Sequence, residues 1–373
     1  MKHKNIPKGY KDSPLGIIPK EWEVKTIGEA CDIHVGKDLN LNSYSKECDN
    51  THIYPVYSNT VDANGWYGGY YNFEEYKGNC VTVVGRGVGL GTAFYRDKGF
   101  GAIGRLLVLY SDKCDAKYLT EYINGKVKFF VESAAIPQLT GKQIANYRIA
   151  VPPIEEQRKI SKILSVWDEA IAKQIKLIDA LIRRKLAIIK LLLNQKKRLY
   201  DFREEWEEMK LGNCLKIGNG KDYKHLNTGD VPVLGTGGYM LSVNDYLYDG
   251  ETVCIGRKGT IDKPIYHKGK IWTVDTLFYT HSYKNVIPLF IYYLFNLIDW
   301  QKYNEATGVP SLSKNTIENI PVFIPTLTEQ IAIVKILTNA DNEIELVKQK
   351  LKNIQVQKKG IMQKLLTGKT RIC

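Results

Sequence analysis

Seven cysteines are scattered along 373 residues without a single Cys-x-x-Cys pair. Cys31, Cys48, Cys80, Cys114, Cys214, Cys254 and Cys373 are odd in number and unpatterned, which argues against a disulfide framework or a structural zinc and for a reducing, cytoplasmic setting. The six histidines (His3, His34, His52, His225, His267, His281) have no metal-ligand spacing. No apolar run approaches the ~18 residues of a membrane span. The basic opening MKHKNIPKGYKDSPLG lacks the apolar core of a secretory leader. There is no GxxxxGK[ST] loop. The Gly-x-Gly of GRGVGLG (85–91) is not followed by a crossover helix with a distal acid, so nucleotide sites of those kinds are not expected. A PD…(D/E)xK nuclease arrangement and the Asn-Pro-Pro-Tyr-like motif of amino-methyltransferases are missing too. The chain therefore offers no catalytic residue, metal site or cofactor site of its own.

What it has in excess is positive charge and repetition. Lys and Arg number 53 against 40 Asp and Glu, a net +13 that favours a polyanionic partner, nucleic acid first and an anionic membrane surface second. The 24 tyrosines and 6 tryptophans suit base stacking and ordinary cores alike.

Residues 154–199, after Pro152-Pro153, contain no Pro or Gly, and a double proline sits where a helix can start but not continue. Ile160, Leu164, Trp167, Ile171, Ile178, Leu181, Ile188 and Leu192 follow alternating steps of four and three, the spacing of a coiled-coil seam, with Gln174 and Lys185 as polar interruptions. At about 1.5 Å per residue the rod is roughly 65 Å long. Its partner follows Pro325. Gln157 and Gln330, Leu164 and Leu337, Asp168 and Asp341, Lys185 and Lys358, and Arg198 and Arg371 are each 173 positions apart, an ungapped repeat down to the seam lysine. The chain order of rods and globular segments predicts that the rods pair antiparallel. Glu155, Glu156 and Glu329 read as first-turn acids favoured by the helix dipole. Asp168 and Asp341, near the seam, read as solvated flank positions, with buried polar contacts as the alternative. The basic runs 183–185 and 196–198 face either solvent or DNA.

The globular segments repeat as well. Trp22 and Trp206, Gly28 and Gly212, and Asp38 and Asp222 are each 184 positions apart. Each segment opens on strand-like alternation and continues through a Gly-, Asn- and Thr-rich loop to a β-rich run ending in Gly-Arg. A helical patch (115–133 and 287–306) and a last strand then lead into the rod. Arg86 and Arg257 correspond in this reading, 171 positions apart. An arginine on a glycine turn reaches either a base edge or phosphate, or a local acid.

These residues resemble the specificity (S) subunits of type I restriction-modification systems over essentially the full length. The resemblance is carried by GIIPKEWEVKTIGE (16–29), IAVPPIEEQRKISKIL (149–164), its repeat IPVFIPTLTEQIAIVKIL (320–337) and GIMQKLLTGKTR (360–371), with the Pro-x-x-x-Glu-Gln junction into a long helix occurring twice. It implies an α+β (α/β) fold: two similar target-recognition domains separated by two long antiparallel coiled-coil helices, an internal repeat with pseudo-two-fold symmetry. The segments are residues 1–152 and 200–325 for the recognition domains and 153–199 and 326–373 for the spacer helices. It further implies that each domain reads half of a split double-stranded DNA target. The helices set the gap and dock two methyltransferase subunits, and restriction subunits join. S-adenosylmethionine, ATP and Mg belong to those partners, and the chain itself is non-catalytic. The second domain is shorter and lacks the PKGYKDSPLG lead-in, which leaves open whether both domains engage DNA in one pose.

Loop position and residue type nominate Lys37, Ser58, Asn59, Arg86 and Lys142 as DNA readers in the first domain, and Lys221, Thr236, Arg257, Lys258, Ser313 and Lys314 in the second. Ile163, Ile175, Ile182, Leu186 and Ile189 lie off the seam. They meet either the methyltransferase subunits or the chain's own domains. Two readings of other classes stand beside this one: a self-contained nuclease or modification enzyme, which requires metal or cofactor dependence of the chain alone, and a structural coiled-coil protein, which predicts no salt-dependent DNA binding.

Overall fold

The computed structural model describes residues 6–130, 137–195 and 197–372; His3, Lys196, Cys373 and residues 131–133 of the first helical patch lie outside them. The chain divides into two compact units, residues 1–174 with 350–373, and residues 175–349. The division cuts across both long helices (Ile154–Leu193 and Leu327–Leu365), so each unit owns one end of each. The first helix stops short of the expected residue 199. Gln195 turns left-handed (φ 56°), and the Lys197 N–H reaches back to the Leu191 carbonyl at 3.0 Å. After the second helix Gly368 does the same (φ 66°), followed by Thr370 N–H to Lys364 carbonyl at 3.3 Å.

In the first unit, an antiparallel sheet orders Asp32–Val35, Leu107–Tyr110, Cys80–Val83 and Ala93–Arg96. A second sheet orders Gly101–Ala102, Tyr54–Tyr57, Trp66–Tyr71 and Tyr44–Ser45, and its one parallel pair is the first. In the second unit the corresponding strands fuse into one six-stranded sheet, because Ile265–Thr273 is unbroken: it pairs antiparallel with Tyr248–Gly256 and parallel with Thr228–Gly235. In the first unit Asp97–Gly99 interrupt the equivalent strand. A helix covers each unit's sheet, Ala116–Lys126 or Pro288–Phe295. Buried Val81, Val83, Leu107, Leu119 and Ile123 form one core with Ile160, Leu164 and Leu365 of the long helices. Val253, Ile255, Phe290 and Phe295 form the other with Ile189, Leu192, Ile333 and Leu337.

The Glu-Gln of each junction explains how a domain grips a helix. Glu156 stands in the first turn as expected, and it is buried. It accepts from the Trp22 indole at 2.9 Å and from two nitrogens of Arg371 at 2.8 and 3.1 Å. Glu329, 1% exposed, accepts from Trp206 at 3.1 Å and from two nitrogens of Arg198 at 3.1 and 2.7 Å. The neighbouring glutamines are fully buried. Gln157 donates to the Pro152 and Lys113 carbonyls and accepts from the Asp115 N–H that opens the covering helix. Gln330 repeats this with Pro325, Asn285 and Ile287. One amide supplies the two donors and the acceptor that these backbone groups need, which a carboxylate cannot.

Ion pairs set the helix direction within each unit. In the first, Glu156 meets Arg371 and Asp168 meets Lys358, both carboxylate oxygens at 2.7 Å. In the second, Arg198 meets Glu329 while Lys185 meets Asp341. Rising position on one helix matches falling position on the other, so the ends packed together run antiparallel. Asp168 and Asp341 thus lie on the flank with side chains 50% and 39% exposed, and each also pairs with the seam lysine of the other helix. Arg184 is likewise paired, with Glu343. Replacing Gln330 by Glu puts a buried carboxylate against two carbonyls and should destabilise by about 2–4 kcal/mol, whereas Glu155→Gln, on an exposed pair with Arg158, should stay within about 0.5 kcal/mol. Equal shifts of the urea midpoint would contradict this account of the junction.

Candidate nucleic-acid interface

Of the predicted readers of the first unit, Lys37 lines a cleft of about 490 Å³, together with Asp38, Arg105, Gln138, Leu139, Thr140 and Gly141 among others, while Ser58, Asn59, Arg86 and Lys142 do not line it. Gly36 makes it possible: a Cβ there would sit 2.8 Å from the Ala102 carbonyl carbon, so only glycine lets the chain before Lys37 pass so close. Arg86 is tied to the wall through a backbone bridge to Gln138, and the Gly87 N–H donates to Pro137 at 3.2 Å. Lys142 follows in the short helix that Thr140 caps: its hydroxyl accepts from the Gln143 N–H at 3.2 Å. Lys37, Arg86 and Lys142 are exposed.

The second unit builds the same feature from the same segments. Its cleft, about 620 Å³, is lined by Asn219, Arg257, Lys258, Asp275, Glu305, Ser313 and Lys314 among others. Gly220 precedes Lys221 as Gly36 precedes Lys37, and a Cβ there would meet the Val274 carbonyl oxygen at 1.9 Å. The bridge here runs from Lys258 to Ser311, and the Gly259 N–H donates to Pro310 at 2.8 Å. The counterpart of Arg86 is therefore Lys258 and not Arg257, since one extra residue in the second turn shifts the register. Arg257 sits where Gly85 sits: Leu139 donates to the Gly85 carbonyl at 2.7 Å and Leu312 to the Arg257 carbonyl at 2.9 Å.

Ser313 is occupied as a helix cap, its hydroxyl accepting from Thr316 at 3.1 Å while Glu305 accepts from the Ser313 N–H at 3.1 Å. The Thr316 and Ser313 bonds hold the Glu305 carboxyl below its ordinary range, so it faces the cleft as an anion. Burial lowers the His281 pKa, as do Lys314 and Lys216 nearby, so this histidine stays neutral at pH 7. Thr236 lies in a neighbouring cleft of about 700 Å³ with Asp222, which follows Lys221; that cleft shares Asp275 and Thr276 with the first. In the first unit Asn59 is likewise engaged, accepting from the Gly85 N–H at 2.7 Å and donating to the Gly104 carbonyl. Ser58 is held by its backbone, donating to Gly65 at 2.8 Å.

Arg105 is the cleft arginine that sequence reasoning missed. It is exposed, left-handed (φ 67°) and in the cleft wall. The signal available was a second Gly-Arg pair, Gly104-Arg105, just before a strand. On the long helices, Ile175, Ile182 and Leu186 are 45%, 38% and 48% exposed, as expected of an outward apolar face. Ile189 is not: at 2% exposure it packs into the second unit's core, and Ile163 packs partly against the first. These two serve the chain's own domains, because the globular segments cover the helix ends. Among the described residues no group of three or more His, Cys, Asp or Glu is arranged to hold a metal ion.

Residues 19–179 and 203–356 both match the family model described as type I restriction modification DNA specificity domain. The chain is 25% identical to the type I restriction enzyme MjaVIII specificity subunit of Methanocaldococcus jannaschii, covering 95% of this chain and 94% of that one. It is 29% identical to the putative MjaX specificity subunit of the same organism, covering 97% of each. Its fold matches the crystal structure of the type I restriction-modification S subunit from M. genitalium with a TM-score of 0.63 at 19% identity, over 92% of this chain and 96% of that one.

Arg86→Ala and Lys258→Ala should each weaken binding to a cognate duplex by about tenfold, whereas Glu155→Ala should not. Fluorescence anisotropy on duplex DNA measures this, and unchanged affinity for both variants would remove the clefts from the interface.

Proposed function

We propose, because the chain belongs to the type I restriction modification DNA specificity domain family, that each unit reads one half of a two-part DNA target. DNA sequence recognition is the function of the family. The assignment of residues to it is our reading, and one observation supports it best: the same basic cleft, made by the same segments, occurs once in each family match. Lys37, Arg86, Arg105 and Lys142 serve one half-site, and Arg257, Lys258 and Lys314 the other, with Lys221 and Thr236 beside them. Lysines and arginines on phosphates dominate affinity and make it fall with salt, while those that reach base edges confer preference.

The chain catalyses no step in this reading. Methyltransferase subunits dock on the outward apolar face that includes Ile175, Ile182 and Leu186, and restriction subunits join them. S-adenosylmethionine, ATP and Mg act on those partners. The setting is the cytoplasm. Burial pushes the Cys31, Cys80 and Cys254 thiols up to about 12, which keeps them protonated and unreactive, and Cys48 is free and exposed, as a reducing compartment permits. No helix among the described residues is long and apolar enough to cross a membrane.

The test is a genome-wide map of N6-methyladenine with and without the gene in a host that carries the partner subunits. A two-part motif that disappears on deletion is the expected result; a map that deletion leaves unaltered, with the partners expressed, would refute the reading.

A further inference from the structure

The loop that follows Tyr54–Tyr57 is tied at both ends to side chains that do not line the DNA cleft. Backbone bonds close it, from Ser58 to Gly65 at 2.8 Å and from Thr60 to Ser58 at 2.9 Å. At one end, Asn59 spans two turns. Its Oδ1 accepts from the Gly85 N–H at 2.7 Å and its Nδ2 donates to the Gly104 carbonyl. Gly85 immediately precedes Arg86 and Gly104 immediately precedes Arg105, so a single amide couples the backbones that present both arginines.

At the other end stands Arg96, 5% exposed. Its Nη2 donates to the Asn64 carbonyl at 2.8 Å, its Nε donates to the Thr82 hydroxyl at 2.9 Å, and its guanidinium lies 3.5 Å from the Tyr57 ring centroid. Among the described residues no carboxylate pairs with it. A buried cation held only by hydroxyl, carbonyl and ring is an uncommon expense for a surface loop. What it secures is Ala63, Asn64 and Gly65, three successive left-handed residues (φ 45°, 56° and 86°), a shape that non-glycine residues keep only when neighbours enforce it. The second unit lacks the device: Thr236, at the loop position of Asn59, makes no side-chain hydrogen bond among the described residues, and His267 takes the place of Arg96, its Nε2 donating to the Lys270 carbonyl of its own strand at 3.0 Å.

We infer that Asn59 is a positioning residue for DNA reading by the first unit and that Arg96 is its anchor, so base preference at one half-site depends on two side chains that contact no DNA. The inference rests on the proposed function. It separates the roles of adjacent residues: Ser58 is free to touch a base, whereas Asn59 sets where Arg86 and Arg105 point. Losing the tie frees two arginines that still supply charge, so affinity changes little while preference relaxes.

The experiment is the methyladenine map of the full complex carrying wild-type chain, Asn59→Ala, Arg96→Lys or Arg86→Ala. Arg96→Lys keeps the buried charge but not the fork that binds Thr82 and Asn64 together, and Asn59→Ala sits on a half-buried loop, so one variant remains informative if the other is poorly folded. The expected result is that both relax the half of the motif that Arg86→Ala alters, with preference there falling about tenfold, while the other half and the level of methylation at wild-type sites are kept. An Asn59→Ala motif identical to wild type overturns the inference, as does relaxation of both halves together. A wild-type chain that directs no two-part motif would instead overturn the proposed function, which keeps the two failures distinct.

Discussion

A buried glutamate-glutamine pair at the start of each long helix holds the rest of this structure in place. The glutamate is the acceptor for an indole from the domain's opening segment and for an arginine that follows the end of the other long helix. The glutamine closes the backbone of the loop into the covering helix. A carboxylate shut away from water needs donors to replace those of the solvent, and here the indole and the arginine supply them. The helix ends, the first strand and the covering helix of each unit are thus positioned by one dipeptide.

The clefts inherit that placement. Each lies between the turn after Cys80–Val83 or Tyr248–Gly256 and the segment leading into the long helix, and the bridges Arg86–Gln138 and Lys258–Ser311 join those two walls. Because the scaffold is repeated and the turns are not, the two units present different chemistry from equivalent positions. The first shows Lys37 beside Arg86 and Arg105, and Asn59 couples the turns of the two arginines. The second shows Arg257, Lys258 and Lys314 beside two acids, Asp275 and Glu305. A framework held constant by buried polar contacts, with recognition carried on exposed loops, permits a change of target without a change of fold.

The helix pair was legible in the sequence because a seven-residue stripe without Pro, and in the first helix without Gly, favours one helical conformation, and an ungapped offset of 173 positions preserves register. The ion pairs of Asp168 and Asp341 were not legible, since a residue at the edge of a stripe can face solvent and an opposing lysine at once. The expected outward face lost Ile189 and Ile163 for a related reason: helical periodicity reports direction around a helix, not how far a neighbouring domain extends along it. Arg86 and Arg257 were matched by their shared Gly-Arg, yet one inserted residue moved the equivalence to Lys258.

By itself the sequence determined two copies of an α+β domain, two long helices, the absence of recognisable catalytic motifs and the basic loops where a polyanion would be read, because these follow from periodicity, spacing and charge along the chain. The tertiary structure alone decided which loops meet in a cleft, that Arg105 belongs there, that Asn59 faces Gly85 and Gly104 rather than solvent, and that the junction acids are buried ion-pair acceptors. Those outcomes depend on groups 26 to 215 residues apart, or on a single residue of register between strands, and neither leaves a local trace for the sequence to carry.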